Sequence, residues 1–196
     1  VDNLSIITYR KDLKQQRWLA FGALVGATLL AGIFFTSKTY ERFLDRRLFQ
    51  DPVVYTEQTP YQKLTLTAWR NKDFRLFING NIQFSSMDEY RYHESLVHVP
   101  MAVAKDPKRV LILGGGDGLA VRQLKAYPEV ERIVMVDLDP RMTELATTHP
   151  VLRRLNEGSM EDDKLTVVHA DAMSYLMETD EVFDVVLIDL PDPNNE

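Results

Sequence analysis

Hydrophobic and polar residues follow three patterns along the chain. Residues 18–37 form an uncharged apolar run of twenty residues. Between residues 61 and 85, polar and apolar positions alternate, which is typical of half-buried strands. From Arg109 onward, short runs rich in Val, Ile and Leu are separated by segments with helical periodicity. These patterns predict an apolar helix, a small sheet and a larger α/β region, in that order.

The apolar run has the length of a membrane-spanning helix. At about 1.5 Å per residue, such a helix measures roughly 30 Å, the hydrocarbon thickness of a bilayer. A secretory signal peptide fits less well, because its apolar core would be shorter and would end in small residues. Gly22 and Gly26 form a G-x-x-x-G pair that lets another helix approach closely, whether from a missing N-terminal part or from another subunit of a homo-oligomer. We predict a transmembrane helix, with a buried helix of a soluble protein as the alternative.

The alternating segment predicts a small antiparallel sheet followed by a helix. The stretches "KLTLTAW", "FRLFING" and "NIQF" have the pattern of strands, and Asn79-Gly80 has the composition of a hairpin turn. Ser86 and Glu89 stand three apart, the spacing of a capping box. We therefore expect a helix that begins near Ser86 and ends near Val99, ahead of Pro100.

The C-terminal pattern predicts a parallel sheet. Four apolar stretches, "RVLILGGGDG", "RIVMVDLDP", "KLTVVHADA" and "FDVVLIDLPDP", alternate with helical segments. Strands this apolar, connected through helices, are typical of an α/β fold whose sheet is covered on both faces.

Charge and cysteine content narrow the range of partners. Residues 1–50 hold eight Lys/Arg and four Asp/Glu, whereas residues 51–196 hold fifteen and twenty-five. The acidic C-terminal region argues against nucleic acid as a partner and favours cationic ligands, although ordinary solubilising charge is the alternative. The chain has no cysteine, which excludes disulfides and thiolate metal sites and is compatible with a reducing compartment.

Acidic residues follow every predicted strand of the parallel sheet. Ligands of such sheets bind at the carboxyl ends of the strands. Asp137 lies about twenty residues beyond the glycine turn, the spacing at which a carboxylate binds ribose hydroxyls. The turn itself carries Asp117, and the last two strands are followed by Asp171, Asp189 and Asp192. We predict a nucleoside ligand at this edge of the sheet.

Asp117 and the last two acids indicate the chemistry of that ligand. A pyrophosphate or carboxylate would be repelled by Asp117, whereas an amine would be stabilised. An amine with a pKa of about 10.4 must lose a proton before it attacks, and Asp189 can accept it. Asp192 can hold a second ammonium group, although a magnesium site or a solvated turn is the alternative for this pair. We interpret Asp139, which precedes Pro140, as a helix cap.

Six motifs resemble those of the polyamine aminopropyltransferases, spermidine synthases in particular. In order they are "YQKL", "NGNIQFSSMDEYRYHE", "LILGGGDG", "VDLD", "HADA" and "DLPDP", and they span about Tyr61 to Pro193. The preceding apolar run resembles the membrane-bound bacterial branch. The resemblance implies a Rossmann-like, methyltransferase-type parallel sheet, preceded by a small antiparallel β domain and one transmembrane helix. Because the family's domain continues beyond the acidic turn, and the chain begins at Val1 and ends at Glu196, we expect an incomplete sheet in a chain truncated at both ends.

The resemblance also implies a transferase reaction. The aminopropyl group of decarboxylated S-adenosylmethionine, a co-substrate, passes to putrescine and gives spermidine and 5'-methylthioadenosine. No metal or prosthetic group takes part. These metabolites are cytosolic, so we expect a protein of the inner cell membrane whose catalytic domain faces the cytoplasm.

The resemblance assigns a role to each motif residue. The nucleoside would be held by Gln62, Gly114, Gly116, Asp137, Asp171 and Ala172, with Asp137 at the ribose and Asp171 and Ala172 at the adenine. Asp117 would bind the amine of the aminopropyl group, and Tyr92 and His93 would line the polyamine channel. Asp189 would accept the proton, and Asp192 would bind the polyamine. Two positions depart from the family pattern, which usually has glutamate at Asp137 and glycine at Ala172.

The sequence patterns and the resemblance together predict six segments. The segments are a basic juxtamembrane segment over 1–17, a transmembrane helix over 18–37, a linker over 38–55, a small β-sheet domain over 56–86, a connecting helix over 87–104 and the first part of a Rossmann-like nucleoside-binding catalytic domain over 105–196. Two other functions remain as alternatives. One is a methyltransferase that uses intact S-adenosylmethionine, although Asp117 would repel the carboxylate of that cofactor. The other is a non-catalytic, membrane-tethered polyamine-binding module.

Overall fold

The computed structural model describes residues 16–35, 48–70 and 72–191. The chain forms two compact units, Val1–Gln50 and Asp51–Glu196. Most of the predicted basic segment over 1–17, most of the predicted linker over 38–55, and Asp192 lie outside the described residues.

The first unit contains one long helix, α1 (Gln16–Phe35). Its mean hydropathy is 2.0, and its apolar side chains, Trp18 and Phe35 among them, are exposed. By length and composition α1 can cross a membrane, a criterion that a signal sequence or the core helix of a soluble protein also meets. The hydroxyl of Thr28 donates to the carbonyl of Leu24 at 2.8 Å, so this polar group is satisfied within the helix.

The second unit begins with a four-stranded antiparallel sheet in the order β1-β2-β3-β4. Its strands are β1 (Val53–Gln58), β2 (Lys63–Trp69), β3 (Asp73–Ile78) and β4 (Asn81–Ser85). The three predicted strands are confirmed. β1 was not predicted, and it begins inside the stretch interpreted as a linker. Asn79 and Gly80 both have positive φ, as a tight hairpin turn between β3 and β4 requires.

The helix after this sheet, α2 (Glu89–Val103), differs at both ends from the expected one. The predicted capping box is wrong, because the Ser86 hydroxyl accepts from the Phe74 backbone N–H at 2.9 Å in the neighbouring strand. The helix also continues through Pro100. Val97 and Met101, on either side of that proline, are buried in the core, and this packing stabilises the last turn.

The rest of the second unit is a parallel α/β sheet, which confirms the predicted fold class. Its strands are β5 (Arg109–Gly114), β6 (Arg132–Asp137), β7 (Leu165–His169) and β8 (Val185–Asp189). They lie in the order β7-β6-β5-β8, and the pairs are all parallel. The connections contain α3 (Leu119–Leu124), α4 (Pro140–Thr148), α5 (Pro150–Leu155), a 3-10 turn (Ser159–Glu161) and α6 (Ala172–Glu178). Because β6 and β8 flank β5 on opposite sides, the strand order reverses at β5, where such sheets bind ligands.

A shared core joins the two sheets. Leu64 and Leu66 of β2 belong to the same buried cluster as Met142 and Leu145 of α4. Burying apolar side chains is worth about 1.5–3 kcal/mol each, so this cluster holds the antiparallel sheet against the parallel one. The loop between β1 and β2 consequently lies at the carboxyl ends of the parallel strands.

Candidate active site

A cavity of about 690 Å³ opens at the carboxyl ends of the parallel strands. Its walls come from both sheets and from α2. The structure brings every predicted site residue that it describes to this cavity: Gln62, Tyr92, His93, Gly114, Gly116, Asp117, Asp137, Asp171, Ala172 and Asp189. The cavity therefore unites residues that are up to 127 positions apart in the chain.

The glycine turn after β5 lets two acidic strand ends come close to the backbone. A Cβ atom at Gly114, whose φ is +83°, would lie 2.0 Å from the carbonyl oxygen of Asp189. A Cβ atom at Gly116 would lie 2.4 Å from Oδ2 of Asp137. Only glycine is compatible with both approaches, because the neighbouring atoms are backbone or a fixed carboxylate.

Asp137 is held by backbone donors on both carboxylate oxygens. The N–H of Gly116 donates to Oδ2 at 3.0 Å, and the N–H of Asp139 donates to Oδ1 at 2.9 Å. Burial raises the pKa of Asp137, although these two donors oppose that effect. The carboxylate is thus fixed in direction at the cavity wall.

Asp139 caps α4, as predicted, and it also connects the two sheets. Its Oδ1 accepts from the N–H of Arg141 at 3.0 Å. Its Oδ2 accepts from the hydroxyl of Thr59 at 2.8 Å, and both residues are buried. The Thr59 hydroxyl in turn accepts from the N–H of Gln62 at 3.0 Å. These hydrogen bonds position Gln62 at the cavity. The contact between Thr59 and Asp139 could not be predicted from the sequence, because the two residues are 80 positions apart.

Helix α2 presents two adjacent side chains to the cavity. The hydroxyl of Tyr92 donates to Oδ1 of Asp189 at 2.9 Å. The buried ring of His93 packs edge-on against Tyr92, with centroids 5.0 Å apart. Nδ1 of His93 lies 2.9 Å from both the backbone oxygen and Oε2 of Glu89, one turn earlier. Since both neighbours are acceptors, Nδ1 must carry a hydrogen.

Glu89 itself is paired with Arg122 of α3. Nη2 of Arg122 contacts Oε1 at 2.9 Å and Oε2 at 3.0 Å. Burial tends to raise the pKa of Glu89, but the hydrogen bonds from His93 and Arg122 outweigh it, so the pKa is lowered. Because Glu89 was interpreted as part of a capping box, this ion pair was not predicted. Arg122 is 33 residues away in the chain, so no local pattern connects it with Glu89.

Asp117 and Asp189 face each other beside His93. One ring nitrogen of His93 and one carboxylate oxygen from each aspartate all lie within 4.8 Å of one another. Oδ1 of Asp117 accepts from the N–H of Leu119 at 2.9 Å. Oδ2 of Asp189 is buried and has no hydrogen-bond partner among the described residues. Buried oxygens are rarely left unpaired, so Oδ2 is poised for a ligand or a proton.

The electrostatics of this cluster favour a bound cation. Burial and the charge of Asp189 raise the pKa of Asp117 to about 6. Burial also raises the pKa of Asp189, against the opposing effects of His93 and Tyr92. Burial lowers the pKa of His93, but Glu89 and the two aspartates outweigh it and the pKa is raised. Two carboxylates and an imidazole at this spacing can coordinate a metal ion or accept the three N–H groups of an ammonium ion.

Comparison with known proteins assigns the chain to a family. The family described as "Spermine/spermidine synthase domain" matches residues 89–196. The chain belongs to this family. A polyamine aminopropyltransferase of Oceanobacillus iheyensis is 47% identical over 175 residues, which are 89% of this chain and 34% of that protein. One of Leptospira interrogans is 45% identical over 190 residues, 96% of this chain and 38% of that protein. The chain spans about a third of the length of these relatives.

Solved structures of the family share the fold. A spermidine synthase in complex with the transition state analogue AdoDATO has a TM-score of 0.67 and 31% identity, covering 72% of this chain and 47% of that one. The spermidine synthase of Thermotoga maritima has a TM-score of 0.65 and 31% identity, covering 70% of this chain and 48% of that one. The predicted Rossmann-like arrangement is therefore confirmed.

The two departures from the family pattern are both accommodated locally. Ala172 is the first residue of α6, where the backbone is helical and glycine is not required. Asp171 before it caps α6 by accepting from the N–H of Ser174 at 2.9 Å, which lowers the pKa of Asp171. Asp137, although about one methylene shorter than glutamate, reaches the cavity with both oxygens fixed.

Proposed function

We propose that the chain is part of a polyamine aminopropyltransferase of the spermidine synthase type. The whole enzyme transfers the aminopropyl group of decarboxylated S-adenosylmethionine to putrescine and releases spermidine and 5'-methylthioadenosine. The observation that carries this proposal is the acidic cluster of His93, Asp117 and Asp189 beside the glycine turn. It suits a co-substrate that has an amine but no carboxylate. The names of the relatives, polyamine aminopropyltransferases and spermidine synthases, support it.

The nucleoside occupies the part of the cavity near the glycine turn. Asp137 accepts hydrogen bonds from the ribose hydroxyls, since its carboxylate is already oriented by two backbone donors. Gln62 contacts the nucleoside from the antiparallel sheet, and Asp171 and Ala172 lie at the adenine. Gly114 and Gly116 let Asp189 and Asp137 lie close to the turn, because side chains there would meet those two residues.

The amine ends of both substrates occupy the acidic part of the cavity. Asp117 binds the amine of the aminopropyl group by a charge-assisted hydrogen bond. Tyr92 and His93 line the channel for putrescine. Asp192, which lies outside the described residues, binds the distal ammonium of putrescine.

Asp189 is the proton acceptor. The attacking nitrogen forms a bond to the methylene next to the sulfonium, the carbon–sulfur bond breaks, and its electron pair neutralises the sulfur. The proton lost by the nitrogen goes to Oδ2 of Asp189, the oxygen without a partner among the described residues. Tyr92 fixes the other oxygen, and the raised pKa of Asp189 makes it a stronger base than an exposed carboxylate. The rest of the rate enhancement comes from holding the attacking nitrogen, the methylene carbon and the leaving sulfur in line.

The proposal includes a membrane anchor and the domain division expected from the sequence. α1 crosses the inner membrane, and the catalytic domain that follows it faces the cytoplasm, where its substrates are. Support comes from the length and hydropathy of α1. Its small residues, Gly22 and Gly26, suit contact with other membrane helices or with a second copy. The β-sheet segment over 56–86 holds the nucleoside from one side, and the segment over 105–196 supplies the catalytic carboxylates.

Two measurements test these statements. The full-length protein is incubated with putrescine and either decarboxylated or intact S-adenosylmethionine, and products are identified by mass. We expect spermidine and methylthioadenosine only from the decarboxylated form, with no loss on adding a chelator. S-adenosylhomocysteine would instead indicate a methyltransferase, and spermidine binding without turnover would indicate a binding module. For the anchor, external protease should leave the catalytic region intact in whole cells, and its cleavage there would contradict the orientation.

A further inference from the structure

The pair Glu89 and Arg122 has no place in the roles described above, yet Glu89 is buried and the side chain of Arg122 is only 13% exposed. Glu89 is 8% exposed. Removing two such charges from water is costly, and a purely structural pair is often replaceable by apolar residues. Glu89 of this pair also accepts a hydrogen bond from His93, a residue of the acidic cluster. Its position therefore suggests a purpose beyond packing.

The hydrogen bonds at Nδ1 determine what His93 offers to the cavity. The backbone oxygen and Oε2 of Glu89 both accept from Nδ1, so its hydrogen is directed at Glu89 and is not offered to a ligand. No described residue makes a hydrogen bond with Nε2. In the neutral ring this nitrogen carries a lone pair, and it can accept a hydrogen bond.

A primary ammonium group has three N–H donors, and the cluster has three acceptors of matching spacing. A ring nitrogen of His93 and one oxygen from each of Asp117 and Asp189 lie within 4.8 Å of one another. We propose that Glu89, held by Arg122, is a positioning residue that keeps Nε2 of His93 as the third acceptor for the ammonium group of putrescine that later gives its proton to Asp189. This inference rests on the proposed function for the identity of the amine.

The charge of Glu89 also sets the pH range in which His93 can act. The groups that face His93 are Glu89 from α2, Asp117 after β5 and Asp189 at the end of β8; Tyr92 contacts its ring, and Arg122 lies behind Glu89. The three acidic groups stabilise the protonated ring, whereas Arg122 offsets part of the effect of Glu89. Below its pKa the ring is a cation and repels the substrate ammonium, so amine binding weakens as the pH falls.

Two substitutions should move this pH dependence in opposite directions. Glu89→Gln keeps an oxygen acceptor for Nδ1 but removes the negative charge, so the pKa of His93 falls. Arg122→Gln removes the positive charge behind Glu89, so the pKa of His93 rises. Neighbouring charges shift a pKa by about one to three units, and we expect displacements of about one pH unit. Glu94→Gln is the matched control, because Glu94 is exposed on the same helix.

The experiment measures kcat and KM for putrescine in the full-length protein between pH 5 and 9. We expect the acid limb of kcat/KM to move to lower pH in Glu89→Gln and to higher pH in Arg122→Gln. The movement should appear in KM, with kcat within about threefold of wild type at the plateau. Glu94→Gln should superimpose on wild type. Loss of kcat in both variants with an unmoved limb would overturn the inference and leave Glu89 with a structural role.

A second measurement separates this inference from the proposed function. Spermidine binding by the full-length wild type and the same variants is followed by calorimetry across the same pH range. If the wild type binds spermidine without transferring an aminopropyl group, the proposed function fails, and opposite shifts in binding would still support the role of Glu89. If the wild type is active and neither the kinetic limb nor the binding curve moves, the inference fails alone.

Discussion

Replacing Asp189 with asparagine tests the proposed chemistry most directly. The change keeps the size of the side chain and leaves Oδ1 to accept from the Tyr92 hydroxyl at 2.9 Å. It replaces the buried Oδ2, which lacks a partner among the described residues, with an amide nitrogen that cannot take up a proton. The contact with Tyr92 is therefore preserved while the base is removed.

The expected loss follows from the role of a general base. Such groups contribute about 10²- to 10⁴-fold, and each tenfold step corresponds to about 1.36 kcal/mol of the activation barrier. We expect kcat of the full-length Asp189→Asn variant to fall by about that factor, and KM for putrescine to rise by a smaller factor, because the variant also loses one charged acceptor of the cluster. Removing the charge should also lower the pKa of Asp117 from about 6, because Asp189 is one of the causes of its rise.

The assay is steady-state release of methylthioadenosine at several pH values. Asp184→Asn is a suitable control, since Asp184 precedes β8 and its carboxylate accepts from the N–H groups of Lys108 and Arg109, away from the cavity. An Asp189→Asn variant with unchanged kcat would refute the assignment of the base. A variant that kept kcat but lost kcat/KM through a large rise in KM would make Asp189 a binding residue and not the base.

Three other predictions follow from the same geometry. Gly116→Ala should weaken methylthioadenosine binding in calorimetry by at least about tenfold, because its Cβ would meet Oδ2 of Asp137 at 2.4 Å, and unchanged affinity would contradict the close approach. Thr59→Val should reduce the free energy of unfolding in urea by about 1–3 kcal/mol, because buried Asp139 loses a donor, whereas Thr147→Val, whose hydroxyl bonds within α4, should change it much less. Asp117→Asn should abolish transfer yet stabilise the protein at pH 7 by up to about 3 kcal/mol. The pKa of about 6 in the folded protein lies above the ordinary aspartate pKa of 3.8, so the stability contribution of Asp117 is present below about pH 4 and is lost as the pH rises through 6. Parallel stability curves for variant and wild type between pH 4 and 7 would argue against this.

Local patterns in the sequence were sufficient for most of the fold. Three of the four antiparallel strands and all four parallel strands were predicted, because alternation and short apolar runs reflect burial on one or both faces. The cap at Asp139 was likewise predictable from its position before Pro140. β1 was missed because it is an edge strand with no fully buried residue: its positions alternate between half-buried and exposed, so no apolar run marks it in the sequence.

Ser86 and Glu89 show where local reasoning was wrong. A capping box would have given both residues a local partner, but each makes its hydrogen bonds with a residue that is distant in the sequence. The hydroxyl of Ser86 bonds to β3, and the carboxylate of Glu89 pairs with Arg122, 33 residues later. A buried carboxylate gains more from a cation and an imidazole than from a single backbone N–H, so the tertiary contact prevails.

The sequence by itself determined the elements and the chemistry at their ends: the glycine turn with its aspartate, and carboxylates after four apolar strands. These features are local, since they depend on residues that are neighbours in the chain. Only the tertiary structure decided which of these groups meet. The strand order β7-β6-β5-β8 brings Asp189 beside Gly114, and the packing of α2 on α3 places Glu89 and Arg122 behind His93. The physical reason is that pairing between distant segments is selected by burial of whole faces, which no single stretch of sequence records.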